Sequence, residues 1–287
     1  MDINNNVGLV NFGNTCFLNS SIQLIMNATS LCTHLANTSE LLETKLKKYV
    51  KTIRDYMNPD TGTMEPKILY VSYKRLNANY SGFSQEDAEE FITYTMDDII
   101  SNVRILKFKN NAHVEFIDKT EKLMTYTLQT KVTYANKPLE PSVTKYRETM
   151  LVLPIPINNL TLENCYSAYL TQKDNEKLIE YSMHNHPKYL FVSIKRFINM
   201  GRISKKRQES VEIPLETDLF GPKYILKGFV LHSGSMQCGH YIAYGSRMID
   251  SNKKWFCYND NSVTEASLQI VEQQSKMAYV FLYSKSV

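Results

Sequence analysis

Gly8-Leu-Val-Asn-Phe-Gly-Asn-Thr-Cys-Phe-Leu-Asn-Ser-Ser-Ile-Gln23 sets one cysteine where a loop turns into a helix. Leu18, Ile22, Ile25 and Met26 recur at i, i+4, i+7 and i+8, one apolar stripe of an amphipathic helix. Asn14 and Thr15 are cap-forming residues just upstream. Cys16 therefore falls in the first turn, beside unpaired backbone N–H groups and the positive end of the helix dipole. That position favours the thiolate and predicts a lowered thiol pKa. The loop between Gly8 and Gly13 can fold the Asn11 amide back toward the sulfur as an oxyanion donor. Locally, a buried structural cysteine behind an ordinary helix cap reads the same.

The rest of the chain limits what that cysteine can belong to. Its 287 residues, 43% of them hydrophobic, suffice for a sizeable core in one large domain or two small ones. Met1 to Asn6 carry no basic-then-apolar signal, and no apolar run reaches membrane-spanning length. An intracellular protein of the cytoplasm or nucleus, without a membrane partner, is expected. Cys16, Cys32, Cys165, Cys238 and Cys257 are odd in number and irregular in spacing, which fits a reducing compartment better than a disulfide framework. With 33 basic and 29 acidic residues, the charge is too balanced to imply a nucleic-acid partner. Lys195, Arg196, Arg202, Lys205, Lys206 and Arg207 form the densest basic cluster and read as a solvated hairpin tip.

Periodicity divides the chain. Leu42, Leu46, Tyr49 and Ile53 mark a second helix, and Ala88, Ile92, Thr95, Ile99 and Val103 a third, with Ser84 and Asp87 as a capping-type start. From about residue 112 the pattern becomes short alternating segments rich in Tyr, Thr, Val and Ile, such as Leu123 to Tyr134, broken by prolines. A helical stretch at Leu160 to Leu170 interrupts them. Helices first and strands later predict an α+β fold with a cleft between the two parts.

Cysteine chemistry needs a base near the sulfur and a group to orient the base. Gly239-His-Tyr-Ile-Ala-Tyr244 and Trp255-Phe-Cys-Tyr-Asn-Asp260 read as two strands joined by a turn at Asp250, Ser251 and Asn252. A hairpin centred between Ile249 and Asp250 sets His240 opposite Asn259, whose carbonyl could fix the imidazole tautomer. Asp260 would point to the other face and is the second choice as orienter. A polar hairpin with a half-buried histidine fits this spacing equally.

Further segments stand in a telling order. After the cysteine segment come Gln85-Glu-Asp-Ala-Glu-Glu-Phe91, then Tyr189-Leu-Phe-Val-Ser-Ile-Lys-Arg-Phe197, then His232-Ser-Gly through Gly-His-Tyr241, then Trp255 to Val263 and Ala278-Tyr-Val-Phe-Leu-Tyr283. Together they resemble the ubiquitin-specific protease family of deubiquitinating cysteine proteases, over essentially the whole chain from Val7 to Ser284. The resemblance implies a papain-like α+β fold in a single catalytic domain, 1–287. A helical thumb is expected at about 7–110, a fingers-like β region at about 111–188 and a β-sheet palm at about 189–287.

The resemblance also implies roles. Cys16 is the nucleophile, His240 the general base and acid, Asn259 the orienting residue and Asn11 the oxyanion donor. Since a neutral Asn259 cannot stabilise an imidazolium by a full charge, a resting Cys–His ion pair is expected. The implied partner is ubiquitin or a ubiquitinated protein, cut after a terminal Gly-Gly. Gln85, Asp87 and Glu90 would engage the tail, with Glu86 and Glu89 facing solvent. Gly239 would form a narrow floor bordered by Tyr241, and His232, Ser233 and Gly234 a mobile gating loop. Many members hold a structural zinc between two CxxC pairs, but this chain has no CxxC. Cys165 has no nearby thiol, and His184 and His186 alone cannot complete a tetrahedral site. Reduced or zinc-free fingers and no cofactor are therefore expected. Another Gly-Gly-ended modifier as substrate, a catalytically silent ubiquitin-binding module, and a separate targeting partner stay open.

Overall fold

Helix α1 (Cys16–Ile25) is buried on every side, not only along its apolar stripe. Its polar residues must therefore find partners inside the protein. Ser20 and Ser21 donate to the Phe17 carbonyl at 3.1 and 2.7 Å, while Gln23 donates to the Val7 carbonyl and accepts from the Tyr56 hydroxyl, both at 2.6 Å. These bonds belong to a computed structural model that describes residues 6–76, 86–107, 112–200, 203–235 and 239–286.

Five further helices follow α1: α2 (Thr29–Ala36), α3 (Lys47–Met57), α4 (Lys67–Leu76), α5 (Ala88–Arg104) and α6 (His113–Met124). A parallel pair, β1 (Gly8–Leu9) with β2 (Thr63–Met64), ties the loop before α1 to the segment before α4. The expected α5 stripe of Ala88, Ile92, Thr95, Ile99 and Val103 is buried, but of the other expected stripe only Tyr49 and Ile53 lie in α3, since Leu46 precedes its first residue and Leu42 sits in a separate 3-10 turn, Ser39–Glu43. Helix α6 carries the helical lobe past residue 110, and the first long strand starts at Tyr126 instead of Leu123.

The strands build two main sheets. β3 (Tyr126–Tyr134), β4 (Lys137–Glu148), β6 (Thr171–Lys173) and β7 (Lys177–His184) form a four-stranded antiparallel sheet in the order β4-β3-β7-β6. β5 (Met150–Leu153) leaves it and pairs parallel with β8 (Tyr189–Ile194). Between these strands lies α7 (Leu162–Leu170), capped by Thr161 and holding the fully buried Cys165. β9 (Phe197–Met200) and β10 (Ile203–Lys206) make a hairpin.

β11 (Glu216–Thr217), β12 (Tyr224–Gly234), β13 (Gly239–Ile249), β14 (Asn252–Asn259), β15 (Ser262–Ala266) and β16 (Val280–Lys285) complete a large sheet, with α8 (Leu268–Ser275) between the last two. Its order is β15-β14-β13-β12-β16-β8-β5, with β11 on β12. Period-two alternation gives it two apolar faces. Val230, Ala243, Tyr258 and Leu282 pack into the core shared with the helices, whereas Phe229, Tyr244, Trp255 and Phe281 pack on the far side. Helix α1 lies against β13, which brings the start of one to the start of the other.

Candidate active site

Cys16 opens α1, as its sequence setting predicts, but the cap works differently. The Thr15 hydroxyl accepts from the Phe12 amide at 2.9 Å and donates to Asn11 Oδ1 at 3.1 Å. Asn11 Oδ1 also accepts from the Gly13 and Thr15 amides at 2.8 and 3.2 Å. The loop thus closes on Asn11, leaving the first-turn N–H groups to the sulfur. Backbone amides of Tyr241, Phe17 and Cys16 all favour the thiolate, yet burial outweighs them and the Asp260 carboxylate opposes them too. The Cys16 thiol is pushed up, not down. This runs against the lowered pKa expected of a helix start, because burial disfavours the charged thiolate more than the three amides favour it.

His240 Nε2 lies 2.7 Å from Asn259 Oδ1. An amide oxygen only accepts, so Nε2 carries the proton and Nδ1 is left as the basic nitrogen. The pair forms although the expected register is displaced. Ile249 pairs with Asn252, so the turn is centred between Asp250 and Ser251, both with positive φ (49° and 64°), as a two-residue type I′ hairpin requires. Moving the centre by one residue moves every partner by two. Asn259 therefore falls one step beyond the Ala243–Tyr258 pair, beside Ile242 and diagonal to His240. A shift of two keeps the face, and the diagonal is within a long side chain's reach.

Asp260 does not orient His240. β14 ends at Asn259, and Asp260 turns back with φ of 50°. Its carboxylate accepts from Asn11 Nδ2 at 2.9 Å and from Asn19 Nδ2 at 2.8 Å, while its carbonyl accepts from the Leu9 amide at 2.7 Å. The loop before the cysteine is thereby fastened to the end of the histidine hairpin. Gly8 permits this approach, since a Cβ there would meet the Asn261 carbonyl at 2.2 Å. Asn19 was missed by the stripe reading; its signal is its place one turn after Cys16 on the same helix face.

The acidic start of α5 mixes support and exposure. Asp87 caps the helix, accepting the Glu89 and Glu90 amides on Oδ1 at 2.7 and 3.3 Å. Tyr279 donates its hydroxyl to the same oxygen at 2.5 Å. Glu89 is not solvent-facing, because Ser193 donates to its carboxylate and burial raises its pKa. Glu90 is exposed. Gln85 and Ser84 lie outside the described residues.

Three other expected contacts change character. His232, Ser233 and Gly234 are the end of β12, paired with Tyr241, His240 and Gly239, instead of a loop. The space over Gly239 is filled: a Cβ there would sit 2.0 Å from His232 Nε2. Tyr241 is buried rather than a channel border. In the basic cluster, Arg196 is buried too, its guanidinium donating to the carbonyls of Ala278, Glu209 and Lys276 at 2.7 to 2.8 Å. The cluster is therefore not simply a solvated tip.

In the four-stranded sheet, His184 Nε2 pairs with Ser182 Oγ at 3.1 Å, and the His186 ring faces Gly221. Tyr169 stacks on Tyr181 with centroids 4.9 Å apart, and Lys131 pairs with Glu180 at 2.9 Å. Among the described residues no group of three or more His, Cys, Asp or Glu side chains could hold a metal ion.

Comparison with known proteins sets this geometry beside a family. A family model described as ubiquitin carboxyl-terminal hydrolase matches residues 7–283. The chain is 26% identical to ubiquitin carboxyl-terminal hydrolase Usp2 of Drosophila melanogaster, over 97% of this chain and 35% of that protein. It is 26% identical to ubiquitin carboxyl-terminal hydrolase 25 of Arabidopsis thaliana, over 98% and 47% respectively. The chain thus spans between a third and a half of these curated relatives. The SAGA Ubp8/Sgf11/Sus1/Sgf73 DUB module bound to ubiquitin aldehyde shares the fold, with a TM-score of 0.79, 21% identity, and coverage of 100% of this chain and 71% of that one.

Proposed function

This chain belongs to the ubiquitin carboxyl-terminal hydrolase family and has its papain-like α+β fold, and from that premise we propose that it is a thiol-dependent deubiquitinase. The reading rests on the 2.7 Å contact between His240 Nε2 and Asn259 Oδ1, which presents Nδ1 as the base, together with a sulfur that senses the backbone amide of Tyr241, the next residue. Ubiquitin as partner is supported by the ubiquitin aldehyde held by the structural neighbour.

In this mechanism His240 takes the thiol proton as Cys16 attacks the carbonyl of the substrate's terminal glycine. The oxyanion is met by the Cys16 N–H and by the Asn11 Nδ2 group, which uses one N–H on Asp260 and keeps the other. His240 returns the proton to the departing amine, leaving a thioester. Water, deprotonated by His240, then releases the ubiquitin carboxylate and restores the thiol. A buried thiol that ionises only as His240 accepts its proton suits this sequence, since the thiolate forms during attack. Exposed Glu90 and the Oδ2 atom of Asp87 are suited to the arginines preceding Gly-Gly.

The test is labelling by ubiquitin carrying a C-terminal electrophile, in parallel with probes built on other Gly-Gly-ended modifiers. Covalent capture by the ubiquitin probe, lost in Cys16→Ala and slowed in Asn259→Ala, is the expected result. Preferential capture of another modifier would reassign the substrate. A folded protein unlabelled by every probe would overturn the enzyme reading.

A further inference from the structure

The ammonium of Lys206, at the end of β10, reaches across to the end of β12 and spends its donors there. It lies 2.9 Å from His232 Nδ1, 2.8 Å from the His232 carbonyl and 3.0 Å from the Gly234 carbonyl. An ammonium only donates, so Nδ1 must accept, and the proton of a neutral His232 sits on Nε2. The ring is buried, edge-on to Phe197 with centroids 5.6 Å apart and against Tyr241 at 4.5 Å. Its Nε2 edge fills the space over Gly239, the residue from which the chain continues into His240. Burial and the neighbouring Lys206 and His240 hold the His232 pKa down to about 4, so the ring stays neutral.

We propose that Lys206 is a positioning residue of this active site: its ammonium fixes His232 as the Nε2–H tautomer in one orientation, and His232 holds the backbone of Gly239 that carries His240. The inference rests on the deubiquitinase reading for its kinetic consequence but not for its geometry. Without Lys206, His232 can flip or exchange tautomer. The Gly239 backbone then loses its backing, and the His240 that follows it in the chain its fixed placement. A displacement of this kind reduces turnover more than binding, because near-attack geometry is lost while the substrate's remote contacts remain.

Lys206→Met keeps the chain length and removes all three donors. It is expected to lower kcat/KM on ubiquitin C-terminal aminocoumarin by about tenfold or more, in keeping with the loss of charge-assisted hydrogen bonds. The loss should lie in kcat, with KM little changed, and Lys206→Arg should recover part of it. Side-chain 15N spectra of the histidines should show a single Nε2–H tautomer for His232 in the parent protein and a mixture in Lys206→Met. Lys206→Gln gives the same readouts should the methionine variant not fold. Parent-like kcat/KM with an unchanged His232 tautomer in the folded variant would overturn the proposal. A parent protein that neither turns over substrate nor reacts with the probe would count against the deubiquitinase reading instead, and the histidine spectra would still decide the Lys206 assignment.

Discussion

Asn11 and Asp260 stand 249 residues apart in the chain and are joined by a 2.9 Å hydrogen bond from amide to carboxylate. The same carboxylate takes the Asn19 amide at 2.8 Å, so one turn residue fixes the Asn11 side chain and anchors the helix that starts at Cys16. In the proposed mechanism Asp260 is therefore a positioning residue acting through Asn11, since its carboxylate bonds Asn11 and Asn19.

Asn11→Ala should lower kcat by about 10²–10³, the range for a lost oxyanion-hole donor. Asp260→Ala should lower kcat in the same direction while leaving the Kd for ubiquitin nearly unchanged, measured calorimetrically in a Cys16→Ala background. A large loss of affinity with kcat intact would refute the assignment.

Alkylation of Cys16 in the free protein should speed up with rising pH through and beyond the ordinary thiol range. The sign follows from burial, which raises the thiol pKa, so neutral solution holds mainly the thiol. Iodoacetamide rates between pH 6 and 10 check this, using roughly the interval that brackets a free cysteine at about 8.5. A rate already at its plateau at neutral pH would refute this and support a resting Cys–His ion pair.

Acid should destabilise the fold partly through His34. Its ring stacks on Phe116 with centroids 4.2 Å apart, and Nε2 meets Thr120 Oγ1 at 3.0 Å. Burial, with Lys119 nearby, lowers its pKa from 6.5 to about 4. The unfolded chain therefore binds the proton more readily, and stability falls as pH drops from 6.5 toward 4. His232 adds a term of the same sign. In His34→Gln, urea unfolding across that window should show a shallower loss than in the parent.

Much of the fold was legible because its signals are local. The apolar stripes of α1, α3 and α5 and the alternation in β12, β13, β14 and β16 follow from side-chain periods of 3.6 and 2. The site's residue types were legible too: a cysteine at a helix start, and a histidine and an asparagine on two strands about one turn. Even the displaced hairpin kept His240 and Asn259 together, because a two-residue shift preserves the face.

What the sequence by itself determined was this alternation and the order of its segments. Their interlocking was decided by the tertiary structure. The turn centre depended on positive φ at both Asp250 and Ser251, which side-chain alternation does not encode. The pKa of Cys16 depended on burial by elements far along the chain, whose desolvation outweighs the local helix start. The attachment of Asn11 to Asp260, of Tyr279 to Asp87 and of Lys206 to His232 joins residues on separate elements. Such bonds arise only when packing brings the elements within hydrogen-bond distance, a requirement no local pattern expresses.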